Sequence, residues 1–271
     1  MLDPTNDSLY AELLDLAHQA ATRAGDALLD GLGRARSYVA TKSSRTDMVT
    51  EMDHTAERLI VETITSARPD DGIIGEEGTN RPGTSCVRWL IDPLDGTTNY
   101  LYGHPGFAVS VAAALEGEGV VVGVVVDPMH EDTFAARRGS GATRNGLSIR
   151  CSEATELAGS LVATGFSYDP DRRRQQAEVL VTLLPRVRDI RRMGAAALDL
   201  CSVACGRVDA FYEKGLQPWD FAAGALIAAE AGATVGDLDG GPASSEFTLA
   251  ASPALFAPLR QLLQTAGATH A

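Results

Sequence analysis

Apolar residues recur at helical spacing near the start of the chain. In the segment "SLYAELLDLAHQAATRAGDALLDGLG" they fall three or four positions apart and the run stops at glycines, which predicts a helix over residues 8–31. The residues on this apolar face are Leu13, Ala17, Ala20, Ala24 and Leu28. A second helix is predicted over residues 50–68, because Pro69 disfavours its continuation.

Shorter apolar runs separated by glycine turns follow over residues 72–146. The segment "GIIGEEG" predicts a short strand, and "VRWLI" predicts a buried one. The segment "FAVSVAAALEGEGVVVGVVVDPMHEDTFAARRGSGATRNG" is rich in valine, with glycine-containing turns, which is typical of an antiparallel meander. "GSGATRNG" superficially resembles a phosphate-binding loop, but Asn145-Gly146 within it is a stronger signal for a hairpin turn. Residues 1–150 are therefore expected to form an N-terminal α+β half.

The pattern changes near residue 150 to alternating strands and helices. Strands are predicted in "SLVATGFS", "VDAFYEKG" and "FTLAAS". Helices are predicted over residues 171–188, 195–206 and 219–231, and from Ser252 onward with Pro253 at the first helical position. This alternation favours a second, more α/β half over residues 151–271.

Composition and charge restrict the classes of function. The chain has 271 residues, 45% of them hydrophobic and 22% charged, which is typical of a folded globular protein. No apolar run approaches the roughly 18 to 20 residues of a membrane span, and the N-terminus lacks the layout of a signal peptide, so a cytoplasmic location is expected. The net charge of -13 disfavours direct binding to nucleic acid or to an anionic membrane.

The cysteines and histidines form no recognisable motif for metal binding or nucleophilic catalysis. Cys86 and Cys151 are isolated, and Cys201 and Cys205 lie four residues apart in an alanine-rich segment without a nearby histidine pair. All four are expected to be buried small side chains rather than zinc ligands or a disulfide.

Acidic residues stand at four places where one predicted element gives way to the next. These are "TDMVTEMD" with Asp47 and Asp53, "GEEG" with Glu76 and Glu77, "DPLDGTT" with Asp92 and Asp95, and "PWDFAAG" with Asp220. Each of the four has an ordinary structural interpretation. Thr50 and Asp53 fit a capping box, "GEEG" fits a solvated turn, and Asp220 would offset the dipole at a helix start.

The segment "DPLDGTT" indicates chemistry, although Asp95-Gly96 alone is also a turn signal. Two carboxylates at the end of a buried strand repel each other and lose hydration, and a bound hard cation would remove both costs. Donors that are all oxygen favour Mg²⁺ over zinc, and the Leu94 carbonyl could add a ligand without charge. The following "GTTN" could begin a helix whose free N–H groups bind an anion, so the segment favours phosphate chemistry.

With these motifs in place, the chain resembles the inositol monophosphatase family, and most of all its bacterial SuhB-type members. The two family signatures correspond to "WLIDPLDGTTNY" and "PWDFAAGALIAAEAGA", about 120 residues apart. The segments "KSSRTDMVTEMD", "GEEG" and "RRMGAAALDLCSVACGRVDAFYEKG" extend the likeness over nearly the whole chain. The resemblance implies a five-layered α/β/α/β/α sandwich, a homodimer, and a site between the two halves.

The resemblance also implies a role for each site residue. Glu76, Asp92 and the Leu94 carbonyl would bind a first Mg²⁺. Asp92, Asp95 and Asp220 would bind a second, and a third, weaker ion would use Glu76. The implied catalytic residues are Glu76 and the pair Asp53 and Thr97, which would position the attacking water. The implied substrate-binding groups are the Gly96 and Thr97 backbone for phosphate, and Asp95, Glu213 and the Ala196 amide for the hydroxyls of an inositol-like leaving group.

The implied activity is Mg²⁺-dependent hydrolysis of myo-inositol 1-phosphate and similar polyol or sugar phosphates by metal-activated water, with lithium sensitivity. Fructose-1,6-bisphosphatase, histidinol-phosphate phosphatase and 3′-phosphonucleotide phosphatase remain alternatives, because the metal ligands are shared among them. Association with the transcription machinery is a further alternative, known for some bacterial relatives. Many relatives carry Thr or Ser at the position of Ala195, so one hydroxyl contact to substrate is missing here. Arg191 and Arg192 could guide an anionic substrate or form subunit contacts. The run Arg172 to Arg174 could do the same or be a solvated helix face.

Overall fold

The computed structural model describes residues 4–34, 39–41 and 48–268 of the chain, which form a mixed α/β structure. The helices are α1 (Pro4–Gly31), α2 (Glu51–Ala67), α3 (Thr97–Tyr102), α4 (Pro170–Leu183), α5 (Ala196–Ala204), α6 (Pro218–Glu230) and α7 (Pro253–Thr265). The strands up to residue 148 are β1 (Val39–Thr41), β2 (Met48–Thr50), β3 (Gly72–Gly75), β4 (Asn80–Arg81), β5 (Val87–Asp95), β6 (Ala108–Leu115), β7 (Gly119–Asp127), β8 (Asp132–Arg137), β9 (Ala142–Arg144) and β10 (Leu147–Ser148). The later strands are β11 (Leu161–Thr164), β12 (Asp189–Arg191), β13 (Ala210–Glu213), β14 (Thr234–Gly236) and β15 (Thr248–Ala251).

The two predicted N-terminal helices are confirmed as α1 and α2. The apolar face of α1 is buried because residues three and four apart lie on the same side of a helix, and this helix packs on strands β6, β7 and β8. Helix α2 ends at Ala67, ahead of Pro69 as predicted.

An eight-stranded sheet contains the predicted meander. Its order is β10-β9-β8-β7-β6-β5-β3-β4, and the pairs are antiparallel except for the parallel pair β3 and β5. Asn145 and Gly146 connect β9 to β10 with φ values of 51° and 75°. Left-handed values at both positions are those of a tight hairpin turn, so the hairpin interpretation of this segment is confirmed.

A five-stranded mixed sheet, in the order β12-β11-β13-β15-β14, contains the strands predicted after residue 150. Strand β11 is parallel to both β12 and β13, whereas β15 is antiparallel to β13 and β14. The predicted helices of this half are confirmed as α4, α5, α6 and α7. The first of them is shorter than predicted, because its last residues form a separate turn of 3-10 helix at Leu184–Arg186.

Three apolar clusters hold five layers together. The first lies between helices α1 and α2 and the eight-stranded sheet. The second surrounds α5 and α6, which pack between the two sheets, and the third lies between the five-stranded sheet and the outer helices α4 and α7. The fold is therefore the five-layered α/β/α/β/α sandwich that the resemblance implied.

The two sheets draw their strands from different parts of the sequence. The eight-stranded sheet uses residues 72–148 and the five-stranded sheet uses residues 161–251. Helices α5 and α6, however, pack against both sheets. We therefore propose the division into residues 1–150 and 151–271 as two halves of one layered unit.

The cysteine prediction is partly wrong. All four thiols are free and Cys201 is buried in α5, but Cys86 is exposed. Cys86 lies in the connection just before β5, where the chain has not yet entered the sheet. Cys151 and Cys205 are half-buried.

Candidate active site

One cavity of about 130 Å³ brings together most of the residues predicted for the site. Its wall combines residues from β5 and the turn after β3 in the first half with residues from β13, α5 and α6 in the second. The predicted residues that line it are Glu76, Asp92, Leu94, Asp95, Gly96, Thr97, Ala196, Glu213 and Asp220. Asp53 reaches the same place through Thr97, and Asp47 lies outside the described residues.

A bulge at the end of β5 explains how Asp92 and Asp95 face one cavity. Residues three apart on a regular strand point to opposite faces of the sheet. Here Asp92 pairs with Ser110 and Asp95 with Ala108, so β5 advances three residues while β6 advances two. The extra residue shifts the alternation by one position. Both carboxylates therefore reach the same side.

Thr97 is tied to Asp53 at the start of the short helix α3. Its hydroxyl oxygen lies 3.1 Å from Asp53 Oδ1 and 3.2 Å from the Leu94 carbonyl oxygen. A hydroxyl has one proton to donate, so these two acceptors compete for it. Gly96 precedes the helix with a φ of 90°, and a Cβ there would lie 2.9 Å from the Gly106 carbonyl oxygen. Glycine is therefore required at this turn.

The acidic side chains at the β5 end of the cavity strongly oppose one another's ionisation. Burial, followed by the charges of Glu76, Asp95 and Asp220, raises the pKa of Asp92 well above its ordinary value, and Asp92 also shares a hydrogen bond with Glu76. The pKa of Asp95 rises to about 7, because burial and nearby Glu76 outweigh the hydrogen bond that the Ala197 N–H donates at 2.7 Å. This end of the cavity would hold less repulsion if a cation were present.

Asp220 lies at the start of a helix and also at the cavity. Its Oδ2 accepts a hydrogen bond from the Gln217 N–H at 2.7 Å at the start of α6, which is the helix-capping role. The same residue lines the cavity. The capping box predicted for Asp53 also involves Thr50, whose side chain lies outside those described. The Asp53 carboxylate itself is completely buried against Thr97.

Glu213 forms the wall on the side of the second sheet. Burial raises its pKa to about 8, with nearby Arg192 acting in the opposite direction and Asp220 adding to the increase. A Cβ on Gly165 would lie 2.0 Å from Glu213 Oε2, so the glycine makes room for this carboxylate. Ala195 is buried ahead of α5 and provides no hydroxyl.

The arginine runs separate into different environments. Arg192 lines the cavity and its guanidinium lies 6.0 Å from the centre of the Phe166 ring. Arg191 instead pairs with Asp189 at 2.8 Å. The run from Arg172 to Arg174 is exposed on α4, in agreement with the solvated-face interpretation.

Two buried acids near the cavity were not singled out from the sequence. Asp199 in α5 is 1% exposed and its Oδ1 has no hydrogen-bond partner, and burial together with the charge of Glu213 raises its pKa. Glu57 in α2 is 5% exposed and accepts hydrogen bonds from the turn that carries Glu76. The only sequence signal for Glu57 is its position four residues after Asp53, on the same helix face.

The chemistry of the donor set fits a hard divalent cation. Carboxylate oxygens and the Leu94 carbonyl are the ligands that Mg²⁺ prefers. Among the residues described, no three His, Cys, Asp or Glu side chains are already arranged to hold a metal ion, and Glu76 and Asp92 share a hydrogen bond with each other. A cation would require these two carboxylates to exchange that bond for coordination, which would also relieve their repulsion.

The model of the inositol monophosphatase family matches residues 9–270 of the chain. The chain belongs to the inositol monophosphatase family. Family membership makes it a phosphatase of this superfamily, and the family is generally metal-dependent. The acidic cavity described above is consistent with both properties.

Individual family members support this assignment. An inositol-1-monophosphatase from Mycobacterium bovis is 47% identical over 223 residues, which is 79% of this chain and 74% of that protein. The Vibrio cholerae protein named Nus factor SuhB is 44% identical over 234 residues, covering 84% of this chain and 86% of that protein. The crystal structure of the extragenic suppressor protein suhB from Bartonella henselae superposes with a TM-score of 0.89 at 37% identity, covering 93% of this chain and 98% of that one.

None of the helices in the described part of this family member combines the length and apolarity needed to cross a bilayer.

Proposed function

We propose that the protein is a Mg²⁺-dependent phosphomonoesterase that hydrolyses myo-inositol 1-phosphate and similar polyol or sugar phosphates to the alcohol and inorganic phosphate. The convergence of Glu76, Asp92, Asp95 and Asp220 on one cavity, beside the bonded pair Asp53 and Thr97, carries the proposal. Similarity to the inositol-1-monophosphatase of Mycobacterium bovis supports the choice of substrate.

The acidic residues would hold two to three Mg²⁺ ions. Glu76, Asp92 and the Leu94 carbonyl are assigned to one ion, Asp92, Asp95 and Asp220 to a second, and Glu76 to a third. When bound, Mg²⁺ lowers the pKa of water and offsets negative charge on the phosphoryl and leaving oxygens. Lithium inhibition by competition at the second position is part of the same proposal.

Thr97 and Asp53 would orient the attacking water. With its proton donated to Asp53, the Thr97 hydroxyl has lone pairs with which to accept a hydrogen bond from water. The buried Asp53 carboxylate fixes the direction of that hydroxyl and can take up a proton as the water reacts. The Gly96 and Thr97 backbone N–H groups are assigned to the phosphate oxygens.

Glu213 and the start of α5 would bind the leaving group. A carboxyl group with a pKa near 8 is protonated in part at neutral pH, so it can both donate to and accept from a sugar hydroxyl. Asp95 and the Ala196 amide are assigned to neighbouring hydroxyls. Asp95 is held for this role by the Ala197 N–H.

The decisive experiment measures Mg²⁺-dependent phosphate release from four esters: myo-inositol 1-phosphate, fructose 1,6-bisphosphate, histidinol phosphate and 3′-phosphoadenosine 5′-phosphate. We expect preference for the inositol ester and a loss of at least about 100-fold in kcat for Asp95→Asn, because the variant removes an anionic ligand of the second Mg²⁺, which would offset the phosphoryl charge. Asp26→Asn, on an exposed position of α1, is the control and should retain wild-type activity.

Each contrary outcome has a separate meaning. Preference for another of the four esters would keep the acidic site and overturn the Glu213 assignment. Normal turnover by Asp95→Asn with Mg²⁺ bound would refute the metal assignment. Absence of hydrolysis with all four esters would refute the proposed activity.

A second candidate function is association with the transcription machinery, favoured by the similarity to the Vibrio cholerae protein named Nus factor SuhB. It predicts that the purified protein binds purified transcription components equally well with and without the Asp95→Asn substitution. Failure to bind them would remove this candidate. We also propose a homodimer, to be checked by light scattering of the purified protein.

A further inference from the structure

Helix α2 carries two buried carboxylates one helical turn apart, next to residues that surround the cavity. Asp53 is 0% exposed and Glu57 is 5% exposed. Residues four positions apart lie on the same face of a helix, so both acids point to the same side of α2. Asp53 contacts Thr97, which lines the cavity, whereas Glu57 contacts the turn that carries the cavity residue Glu76.

The Glu57 carboxylate accepts three hydrogen bonds from the turn that follows β3. Its Oε2 accepts from the Glu77 N–H at 2.8 Å. Its Oε1 accepts from the Thr79 N–H at 3.1 Å and from the Thr79 hydroxyl at 2.6 Å. Three donors of this one turn therefore converge on a single side chain, so Glu57 anchors the turn to helix α2.

The backbone of the turn is fixed on its other sides as well. The Gly75 N–H donates to the Thr79 carbonyl at 2.7 Å, and the Glu76 N–H donates to the Ile91 carbonyl on β5 at 3.2 Å. Glu76 therefore stands on a turn held by β5 and by Glu57. This arrangement places its carboxylate against Asp92.

Gly75 allows the close approach of Glu57 to this turn. A Cβ at that position would lie 2.4 Å from Glu57 Oε2, closer than real contacts of this kind. The glycine is not in the left-handed region, so its role here is to leave space rather than to provide an unusual φ.

We propose that Glu57 is a positioning residue that fixes the Glu76 carboxylate in the cavity and thereby sets the affinity of the site for Mg²⁺. The inference rests on the proposed function, in which Glu76 binds the metal. Outer groups that orient metal ligands commonly change metal affinity by about 10- to 100-fold when they are replaced.

The test uses three variants. Glu57→Gln keeps the size of the side chain but turns an NH₂ group toward one of the N–H donors of the turn, which breaks at least one bond. Thr79→Val removes the hydroxyl donor alone and provides a milder variant if Glu57→Gln does not fold. Glu62→Gln is the control, since Glu62 is exposed on the same helix and pairs with Arg58 at 3.0 Å.

Mg²⁺ binding is measured by calorimetry on the full chain without substrate, alongside thermal unfolding in chelator and kcat at saturating Mg²⁺. We expect about tenfold or greater weakening of Mg²⁺ affinity in Glu57→Gln, a smaller loss in Thr79→Val, and none in Glu62→Gln. Activity of Glu57→Gln should recover when Mg²⁺ is raised, because the ligand itself is still present.

Unchanged Mg²⁺ affinity in a folded Glu57→Gln or Thr79→Val variant would overturn the inference, even if the melting temperature falls, and would leave the proposed function intact. Loss of kcat that saturating Mg²⁺ does not restore would also overturn it. If the wild-type protein binds no Mg²⁺, the proposed function fails and the inference fails with it.

Discussion

The fold disfavours the ionised form of the Glu213 carboxyl group. Its pKa of about 8 in the fold lies far above the ordinary range of a glutamate, chiefly because of burial. The folded protein therefore holds this proton over a pH range in which the unfolded chain has lost it. Under linkage, stability falls with rising pH across that range, from the ordinary value of about 4.3 up to about 8.

Because stability falls with rising pH, a prediction follows for Glu213→Gln in metal-free protein. Glutamine has no proton to lose, so the variant should lack the part of the decline in stability that Glu213 causes. Compared with wild type, its melting temperature should improve progressively between about pH 5 and pH 9. Thermal unfolding in chelator across this range checks the prediction. A difference between the two proteins that stays constant with pH would contradict it.

At the residue scale, site residues that belong to local sequence motifs could be predicted, whereas those whose role depends on long-range contacts could not. Asp92, Asp95 and Asp220 could be singled out because each stands at an element boundary, and the resemblance then supplied Glu213 and Ala196. All of them line the cavity. Glu57 and Asp199 were missed because each lies inside a helix, and only the packing of distant segments reveals that its carboxylate is buried. The roles assigned to the residues remain predictions.

Helices α5 and α6 cross closely at Gly224, in the layer between the sheets. A Cβ at this position would lie 2.8 Å from Leu200 Cβ and 3.2 Å from the Ala197 carbonyl oxygen. Both contacts are with α5, whose first turn carries the Ala196 amide assigned to the substrate. The two helices can therefore pack this closely only because Gly224 has no side chain.

Gly224→Ala should destabilise the protein by up to about 2 kcal/mol. Overpacking of a core costs about 1–3 kcal/mol, and the better helix propensity of alanine returns only about 1 kcal/mol. Urea unfolding measures the difference. Gly159→Ala is the matched control, because the nearest atom to its added Cβ is 3.8 Å away, and its stability should stay within about 0.5 kcal/mol of wild type. Wild-type stability in Gly224→Ala would show that α5 moves aside without cost.

At the element scale, the length and periodicity of a segment decided whether it was predictable. Helices α1, α2 and α6 have sustained patterns and clear ends, and were predicted to within a few residues. Strands β12 and β14 were not predicted, since each has three residues and a short run carries no measurable period. They exist because neighbouring strands pair with them, which is tertiary information.

Across the whole molecule, Asp132 connects the eight-stranded sheet to the connection between α5 and β13. Its carboxylate accepts from Arg144 Nε at 2.6 Å on β9 and from Arg207 at 2.8 Å on that connection. Both guanidinium groups also lie about 6 Å from the ring of Phe134. Burial alone would raise the pKa of Asp132, but the two arginines outweigh it and lower the pKa.

Asp132→Asn should therefore cost about 1–3 kcal/mol of stability at pH 7, in the range of a buried charge-assisted hydrogen bond. The contribution of Asp132 to stability depends on pH in the opposite direction to that of Glu213. Because the folded pKa is depressed, the contribution is complete above the unfolded value of about 3.9 and is lost as pH falls through the folded value. Urea unfolding from pH 7 down to pH 3 measures it. A penalty that persists unchanged in acid would contradict the ionic interpretation.

The layered architecture followed from the sequence because two different patterns met near residue 150, and the resemblance supplied the order of the layers. The arrangement of the two sheets around α5 and α6 did not follow from periodicity, since a helix pattern does not show how many surfaces the helix covers. These two helices have a high proportion of alanine and little polar character, which is the composition of an element buried on several sides.

The bulge at the end of β5 has a consequence for the ancestry of this segment. Each residue gained or lost between Asp92 and Asp95 would exchange the two faces of the strand beyond that point, so one of the two carboxylates would turn away from the cavity. Substitutions of Pro93 or Leu94 change only the local packing, whereas an insertion or deletion reverses the side of the sheet that each later side chain faces. Selection on this stretch should therefore tolerate amino-acid substitution far more readily than insertion or deletion. The number of residues between Asp92 and Asp95 should change more slowly in evolution than the identity of those residues.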